Sequence, residues 1–366
     1  MNKIAQIWDR VQRCLFPHLK ECLPGMTDEH QRLAIVLEVI RVEDHVPSLW
    51  ASWYGRKPSD RKALARAFVA KVVHKIPTSK ALVERLRADK NLRMLCGWEY
   101  PGQVPSESTF SRVFCEFAGC GLTDRVHEGL VSNYLSDEAI WHVSRDSTAI
   151  EAREKPARKE KKAKEGSKQK SKQGRLKKGE ERPLTQEKRL SRQRKQTARE
   201  SLAELPIACD VGTKKDSKGY KTSWVGYKFH MDVADGDIPI FAVTTSASLH
   251  DSQVAIPMAK VTAKRVISWY DLMDSAYDAK DIREVCRELG HVPIIDVNPR
   301  RGSAPPMDPD RARRYGKRSS AERVNSRLKD DCGGRNVRVR GAPKVHTHLM
   351  FGVLVIFAEA ILALAR

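Results

Sequence analysis

The chain has 366 residues and a formal net charge of +21, with 40% hydrophobic and 31% charged residues. This length allows about two domains and a sizeable buried core, which excludes a small scaffold that depends on disulfides or metals. The excess of positive charge favours a polyanionic partner, most often nucleic acid, over a basic surface that is merely solvated.

The eight cysteines are scattered, and none forms a C-x-x-C pair or accompanies a close pair of histidines. A zinc site is therefore not expected. Free thiols fit a reducing cytosol, and Asp9 among the first apolar residues argues against a signal peptide. We expect a cytoplasmic protein that associates with the nucleoid when it is bound to DNA.

The first part of the chain predicts helices. Apolar residues recur at helical spacing over residues 4–19, and Pro24 with Gly25 stops that run. Three further helices are predicted, with N-caps at Thr27, Ser59 and Thr78.

A hydroxyl-rich segment over 105–112 begins another helix, and a glycine-containing turn leads to a helix over 124–135. This pair fits a helix-turn-helix, although any small helical bundle contains such pairs. We assign residues 1–136 to a helical DNA-binding domain.

From residue 140 onward the pattern changes to strands. Predicted strands cover 140–150, 224–233, 239–246, 266–274 and 292–297, and predicted helices cover 251–263 and 278–289. Residues 234–237 form a good hairpin turn between the second and third strands. A hairpin followed by alternating helices and strands predicts a mixed α/β sheet, which we assign to residues 137–340.

A basic segment interrupts the strand pattern. Residues 153–199 contain 20 Lys and Arg against 6 Asp and Glu, which gives +14 of the chain's +21. Because apolar residues are almost absent, the segment is expected to form a disordered insertion over 151–200. We favour a sequence-independent phosphate clamp over a charged linker without a role.

The last segment, 349–364, is strongly apolar but is interrupted by Glu359. It is shorter than the roughly 18–20 apolar residues that a membrane span needs. We predict a packing helix within 341–366 and no membrane partner. Arg340 and Lys344 leave a membrane anchor as the less favoured alternative.

The stretch 315–329 carries the most chemical information. If it is helical, four polar side chains share one narrow face, since each residue turns about 100°. These are Tyr315, Arg318, Glu322 and Lys329. An acid flanked by cations suits a metal-binding carboxylate beside DNA phosphates. The alternative is a surface helix with an Arg318–Glu322 ion pair worth a few tenths of a kcal/mol.

Two further acids, Asp146 and Asp274, follow apolar strands. Acids at the ends of central strands lie where α/β folds place active sites. A single strand-end aspartate is more often a cap than a ligand. The nearby alternatives are Asp210, Asp251 and Asp271.

These residues resemble the DDE transposases of bacterial insertion sequences. The spacing of Tyr315, Arg318, Glu322 and Lys329 is similar to the Y-R-E-K signature of that group. The second-Asp motif is similar to Asp274-Ser275-Ala276-Tyr277-Asp278, and the first-Asp motif to Asp146-Ser147-Thr148. Segments 226–230, 250–251 and 95–112 also resemble parts of these proteins.

The resemblance implies a ribonuclease-H-like catalytic domain with an N-terminal all-α domain and a C-terminal helix. It implies that Asp146, Asp274 and Glu322 hold two Mg²⁺ ions, which Mn²⁺ could replace, for phosphoryl transfer. It further implies that Tyr315, Arg318 and Lys329 contact phosphates. Arg323 and Arg327, on a neighbouring face, are expected to do likewise, or to form a plain solvated edge.

The expected function is a DNA transposase that cleaves the ends of an insertion sequence and joins the 3′-hydroxyl to target DNA. Its partners would be double-stranded DNA, both terminal inverted repeats and target, and a second copy in a synaptic homodimer. A nuclease of the same fold and a non-catalytic DNA-binding protein are the alternatives. The 47 residues between Asp274 and Glu322 leave no room for the long β-rich insertion of hairpin-forming relatives.

Overall fold

The computed structural model describes residues 25–47, 58–136, 138–158, 187–215, 219–298 and 306–364, together with positions 18, 21 and 23. The helix predicted over 4–19 lies outside these residues except at position 18. The described residues form a mainly helical first part, a mixed sheet of six strands and a long last helix.

Six helices form the first part of the described chain. They are α1 (Asp28–Ile40), α2 (Arg61–Val73), α3 (Ser79–Ala88), α4 (Lys90–Cys96), α5 (Glu107–Gly119) and α6 (Leu122–Leu135). The hydroxyls of Thr27 and Thr78 cap α1 and α3 as predicted. The predicted Ser59 cap is wrong by one residue, because Asp60 accepts the first free amides of α2. Asp89 ends α3 and caps α4, so one predicted helix is two.

The strands form one mixed sheet. They are β1 (Ala139–Glu151), β2 (Asp210–Lys215), β3 (Lys221–Ala234), β4 (Ile238–Ser246), β5 (Ile267–Met273) and β6 (Val292–Ile295). The order is β2-β3-β1-β5-β6, with β4 also paired to β3. The β1–β5 and β5–β6 pairs are parallel and the others antiparallel, which confirms the predicted mixed sheet. The sequence did not predict β2, whose short and polar run lacks the usual alternation.

Gly226 shows how closely β1 and β3 approach. It pairs with Glu151, and a Cβ there would lie 2.1 Å from the carbonyl oxygen of Ile150. Its φ of 154° is also one that side chains rarely adopt. Glycine is therefore required at this point of β3, within the segment that the sequence singled out.

Seven helices accompany the sheet in the described residues. They are α7 (Arg189–Lys195), α8 (Ala198–Ala203), α9 (Ser252–Arg265), α10 (Lys280–Glu288), α11 (Pro309–Tyr315), α12 (Ser319–Asp330) and α13 (Ala342–Leu364). A short 3₁₀ turn, Gly316–Arg318, joins α11 to α12. The stretch predicted as one helix over 315–329 therefore changes its winding between Tyr315 and Glu322.

The end of the basic insertion is ordered, which corrects the expectation of disorder over 151–200 for these residues. Both α7 and α8 pack on α9, and α7 also packs on α10. The ammonium of Lys260 donates to three carbonyl oxygens around the end of α7, those of Gln193, Arg194 and Gln196, at 2.6–3.0 Å. Arg194 is bonded to Glu284 and Glu288 on α10. Counting charge missed these partners, which lie about 60 to 95 residues away along the chain. Residues 159–186 of the insertion lie outside the described part.

Helix α13 confirms the predicted C-terminal packing helix. By length and composition it could cross a membrane, but 72% of its most apolar window is buried inside the protein. It packs against β4 and against α1, α2, α5 and α6. Glu359, which interrupts its apolar run, pairs with Arg32 and Arg327. One hydrophobic core therefore joins the first helices, α13 and the sheet.

Candidate active site

The register of the parallel pair β1–β5 brings two of the predicted acids together. Arg145 pairs with Met273, and the next residues are Asp146 on β1 and Asp274 just after β5. β5 ends at Met273, but β1 continues past Asp146 to Glu151 in its pairing with β3, so the prediction that both acids follow strand ends is wrong for Asp146. Asp146 lies within β1, level with the carboxyl end of β5, and we call Asp146 and Asp274 the strand-end pair for that reason. Asp274 also caps the following turn, where its Oδ1 accepts the amide of Ala276 at 3.0 Å.

Beneath these acids lies a buried ion network. The fully buried guanidinium of Arg145 donates to both oxygens of Asp232 at 2.7 Å. The hydroxyl of Thr262 donates to Asp232 at 2.6 Å. Asp271, one of the alternative acids, bonds His291 at 3.1 Å and is buried. This network links β1, β3, β5 and α9 and leaves Asp271 in the interior, away from the strand-end pair.

The environment of the strand-end pair disfavours negative charge. Burial, together with the nearby Asp274 carboxylate, raises the pKa of Asp146 to about 6 against the opposing effect of Arg318. Burial also raises the pKa of Asp274, and the neighbouring carboxylate of Asp251 adds to that rise. The alternative acid Asp251 thus lies beside Asp274, where it is held by Lys228 at 2.9 Å.

Helix α12 packs against β1 and reaches Asp146. The side-chain amide of Asn325 donates to Asp146 Oδ2 at 3.1 Å, and its buried Oδ1 has no hydrogen-bond partner among the described residues. Asp237, in the β3–β4 turn, accepts from Ser320 and from Arg323 at 2.5–2.9 Å. The apolar side of α12 is buried as predicted, at Ala321, Val324 and Leu328.

Arg318 is the cation nearest to the predicted acids. Its Nη1 lies 3.9 Å from Asp146 Oδ1, and its Nη2 bonds Glu322. Its guanidinium also lies 5.8 Å from the ring centre of Tyr315. Burial would lower the pKa of Arg318, but Asp146, Glu322 and other neighbouring groups raise it. Arg318 is therefore held as a cation between a strand-end acid and the helix acid.

Glu322 is the predicted site residue that stands apart. Its side chain is 55% exposed, and its carboxylate is bonded to Arg318. Within the described ranges, no three His, Cys, Asp or Glu side chains form a group that could hold a metal ion. The structure thus brings Asp146 and Asp274 together, while the Arg318 guanidinium lies between Asp146 and the carboxylate of Glu322.

Two carboxylates with raised pKa values nevertheless fit a divalent cation. Carboxylate oxygens are the ligands that Mg²⁺ prefers, and a cation would offset both the burial and the mutual repulsion. The unpaired amide oxygen of Asn325 is a further hard donor beside Asp146. The donor set at this edge therefore suits a hard metal ion.

The sequence missed several polar groups around this edge. Lys214 on β2 acts on the pKa values of Asp146, Asp274 and Lys329, and it escaped notice because β2 was not predicted. Asn325 lies three residues after Glu322, so the helical spacing could have placed it on the same side. Nothing in its residue type marks it as an active-site group.

The remaining predicted DNA contacts have mixed surroundings. The half-buried ammonium of Lys329 lies near Arg335, Lys214 and Asp146. Arg323 is held by Asp237, and Arg327 by Glu359 at 2.6 Å. DNA contacts by any of these residues stay a prediction.

Two family models match the chain. A transposase domain (DUF772) matches residues 18–116, and a transposase DDE domain matches residues 138–358, which is more than half of the chain. The first match extends the resemblance well before Leu95, where the sequence motifs first indicated it. No curated protein and no solved structure matches the chain.

Proposed function

Because the chain belongs to the transposase DDE domain family, we propose that it cleaves the ends of an insertion sequence and joins the freed 3′-hydroxyl to target DNA. The observation that carries this proposal is the parallel register of β1 and β5, which sets Asp146 beside Asp274. The ribonuclease-H-like arrangement of a mixed sheet with an acidic strand edge supports the same chemistry.

Members of this family use divalent metal ions, and we propose that Asp146, Asp274 and Glu322 hold two of them, Mg²⁺ or Mn²⁺. When bound, such a pair activates the attacking oxygen and stabilises the leaving oxygen of a phosphodiester. Asn325 keeps the Asp146 carboxylate oriented through its hydrogen bond. Burial of Asp146 and Asp274 limits competition from water and makes the need for cations stronger.

Arg318 interacts with both Asp146 and Glu322, which gives it a role in assembling the site. A DNA phosphate that takes over Arg318 would release the Glu322 carboxylate, which could then turn toward Asp146. Substrate binding would in this way complete the set of three acids. Tyr315 and Lys329 would contact phosphates of the same DNA strand. Arg323 and Arg327 could do so only by giving up their ion pairs with Asp237 and Glu359.

The test is cleavage of a labelled insertion-sequence end in Mg²⁺ by the wild type, Glu322→Gln and the control Glu84→Gln, whose side chain is exposed on α3. We expect Glu322→Gln to bind the end but not to cleave it, and Glu84→Gln to match the wild type. Cleavage by Glu322→Gln at the wild-type rate would overturn the assignment.

A second arm separates a transposase from a nuclease of the same fold. The substrate is an end that is already cut and carries a free 3′-hydroxyl, offered together with target DNA. A transposase joins the two strands, whereas a nuclease only hydrolyses. Size measurement of the complex with paired ends tests the proposed synaptic homodimer.

A further inference from the structure

A basic pocket lies between the first helices and the end of α12. Its volume is about 220 Å³. Lys71 and Lys75 line it from α2 and the turn after it, Lys329 from α12, and Arg335 from the segment after α12. A smaller cavity of about 80 Å³ shares the Lys71 wall. The pocket therefore connects the N-terminal helices with a residue of the Y-R-E-K signature.

The two acids that line this pocket are already neutralised. Asp331 accepts from Lys75 at 2.6 Å, and Asp330 is bonded to Arg335. Lys71 and Lys329 have no carboxylate partner in the part of the chain that the structure describes. Two ammonium groups thus face the same pocket without an anion.

The surroundings of Lys71 increase its need for an anion. Burial and, to a smaller extent, the neighbouring Arg338 lower the pKa of Lys71 to about 8. His348, which also lines the pocket, is held neutral, since burial lowers its pKa to about 4 and its Nε2 bonds the carbonyl of Gly333. Burial and Arg335 likewise lower the pKa of Lys329. A buried cation among like charges costs free energy until a counter-ion arrives.

We propose that this pocket binds a backbone phosphate of DNA, with Lys71 and Lys329 as its two ligands. The proposal rests on the proposed function only in taking DNA as the substrate. Because Lys329 also lies near Asp146, the bound phosphate would belong to the strand that passes the acidic edge. Through this site the N-terminal helices would contact DNA independently of its sequence, close to the proposed active site.

The first experiment measures duplex binding against salt in EDTA, so that catalysis plays no part. It compares the wild type, Lys71→Gln and the matched control Lys62→Gln, an exposed lysine on the same helix. Loss of one phosphate contact should reduce the slope of log affinity against log salt by about 0.9. The affinity gap between wild type and Lys71→Gln should then shrink about 3-fold between 50 and 200 mM salt. An unchanged slope for Lys71→Gln would overturn the proposal.

The second experiment needs no variant. An amine-reactive reagent at pH 8 should label Lys71 in the free protein, and duplex DNA should protect it while Lys62 stays labelled. Equal labelling of Lys71 with and without DNA would contradict the site. If inorganic phosphate at millimolar concentration protects Lys71 but DNA does not, the pocket binds small anions and the DNA assignment is wrong. Since neither experiment uses cleavage, loss of the proposed catalytic function would leave both results interpretable.

Discussion

Two groups of acids lie within a few residues of one another in this sheet, and they are treated in opposite ways. In the interior, Asp232 and Asp271 are matched by Arg145, Thr262 and His291. At the carboxyl end of β5, Asp146 and Asp274 are neighbours, Arg318 acts on both, and its guanidinium lies 3.9 Å from Asp146. Neighbours lower the pKa of Asp271 despite its complete burial, whereas the pKa of Asp146 rises.

This difference distinguishes acids that stabilise the fold from acids that are available to bind a cation. A buried acid such as Asp232, both of whose oxygens accept hydrogen bonds, stabilises the arrangement of the strands and has nothing left to bind. A desolvated acid beside a second acid is unstable until a cation arrives, and that is the state expected of a metal site. Residue type alone does not distinguish Asp271 within β5 from Asp274 just after that strand.

The largest expected effect is on catalysis. Asp146→Asn and Asp274→Asn should each reduce strand cleavage by about 10³-fold or more, because the charge stabilisation of phosphoryl transfer is lost. DNA binding in EDTA should stay within a few fold of wild type. Normal cleavage by Asp274→Asn would contradict this contrast, because Asp146 and Asp274 would then have a structural role like that of Asp232 and Asp271.

The interior network should respond through stability instead. Arg145→Met leaves Asp232 buried without its cation and should lower the free energy of unfolding by about 3–5 kcal/mol. The double variant Arg145→Met/Asp232→Leu should recover much of that loss, since neither charge of this pair remains. Urea unfolding of the three proteins measures both effects. If the double variant is no more stable than Arg145→Met, the Arg145–Asp232 pair has a role beyond neutralising charge.

In the metal-free protein, neutralising an acid of the strand-end pair should raise the free energy of unfolding rather than lower it. The pKa of Asp146 is about 6 in the folded state against an ordinary 3.8, so the folded state binds the proton more tightly. Its contribution to stability is present below about pH 4 and is lost as the pH rises through 6. Asp146→Asn should therefore stabilise the protein at pH 7 by up to about 3 kcal/mol, and not at pH 4. Thermal unfolding at both pH values in EDTA tests this, with Asp232→Asn as the destabilised counterpart.

The smallest effect is that of the metal on stability. Mg²⁺ or Mn²⁺ at ten times its dissociation constant should stabilise the wild type by about 1.4 kcal/mol, and EDTA should reverse it. Asp274→Asn should lose this response. Arg145→Met should keep the stabilisation by metal, measured at a temperature at which this less stable variant is still folded. A response that survives Asp274→Asn would place the cation elsewhere.

The sequence predicted five of the six described strands and the buried side of α12, because both follow from local apolar periodicity. It did not predict the partners that decide each group's behaviour. Asn325 meets Asp146 from 179 positions away, and Lys260 holds the end of α7 from more than 60 positions away. The exposed carboxylate of Glu322 and its bond to Arg318 match the alternative that helical spacing offered, whereas the 3₁₀ turn at Gly316–Arg318 was not predicted. Contacts over such distances arise only when the chain is folded.

Helix α13 has a consequence for synthesis on the ribosome. The apolar faces of α1, α2, α5 and α6 pack against it, yet they are translated more than 200 residues earlier. Those helices must wait with exposed apolar surface while the sheet and α12 are made. Glu359 then pairs with Arg32 on α1 and with Arg327 on α12. Until α13 has left the ribosome, Arg327 of α12 lacks its Glu359 partner, so the helix that carries Glu322 and Asn325 gains this contact only late in synthesis.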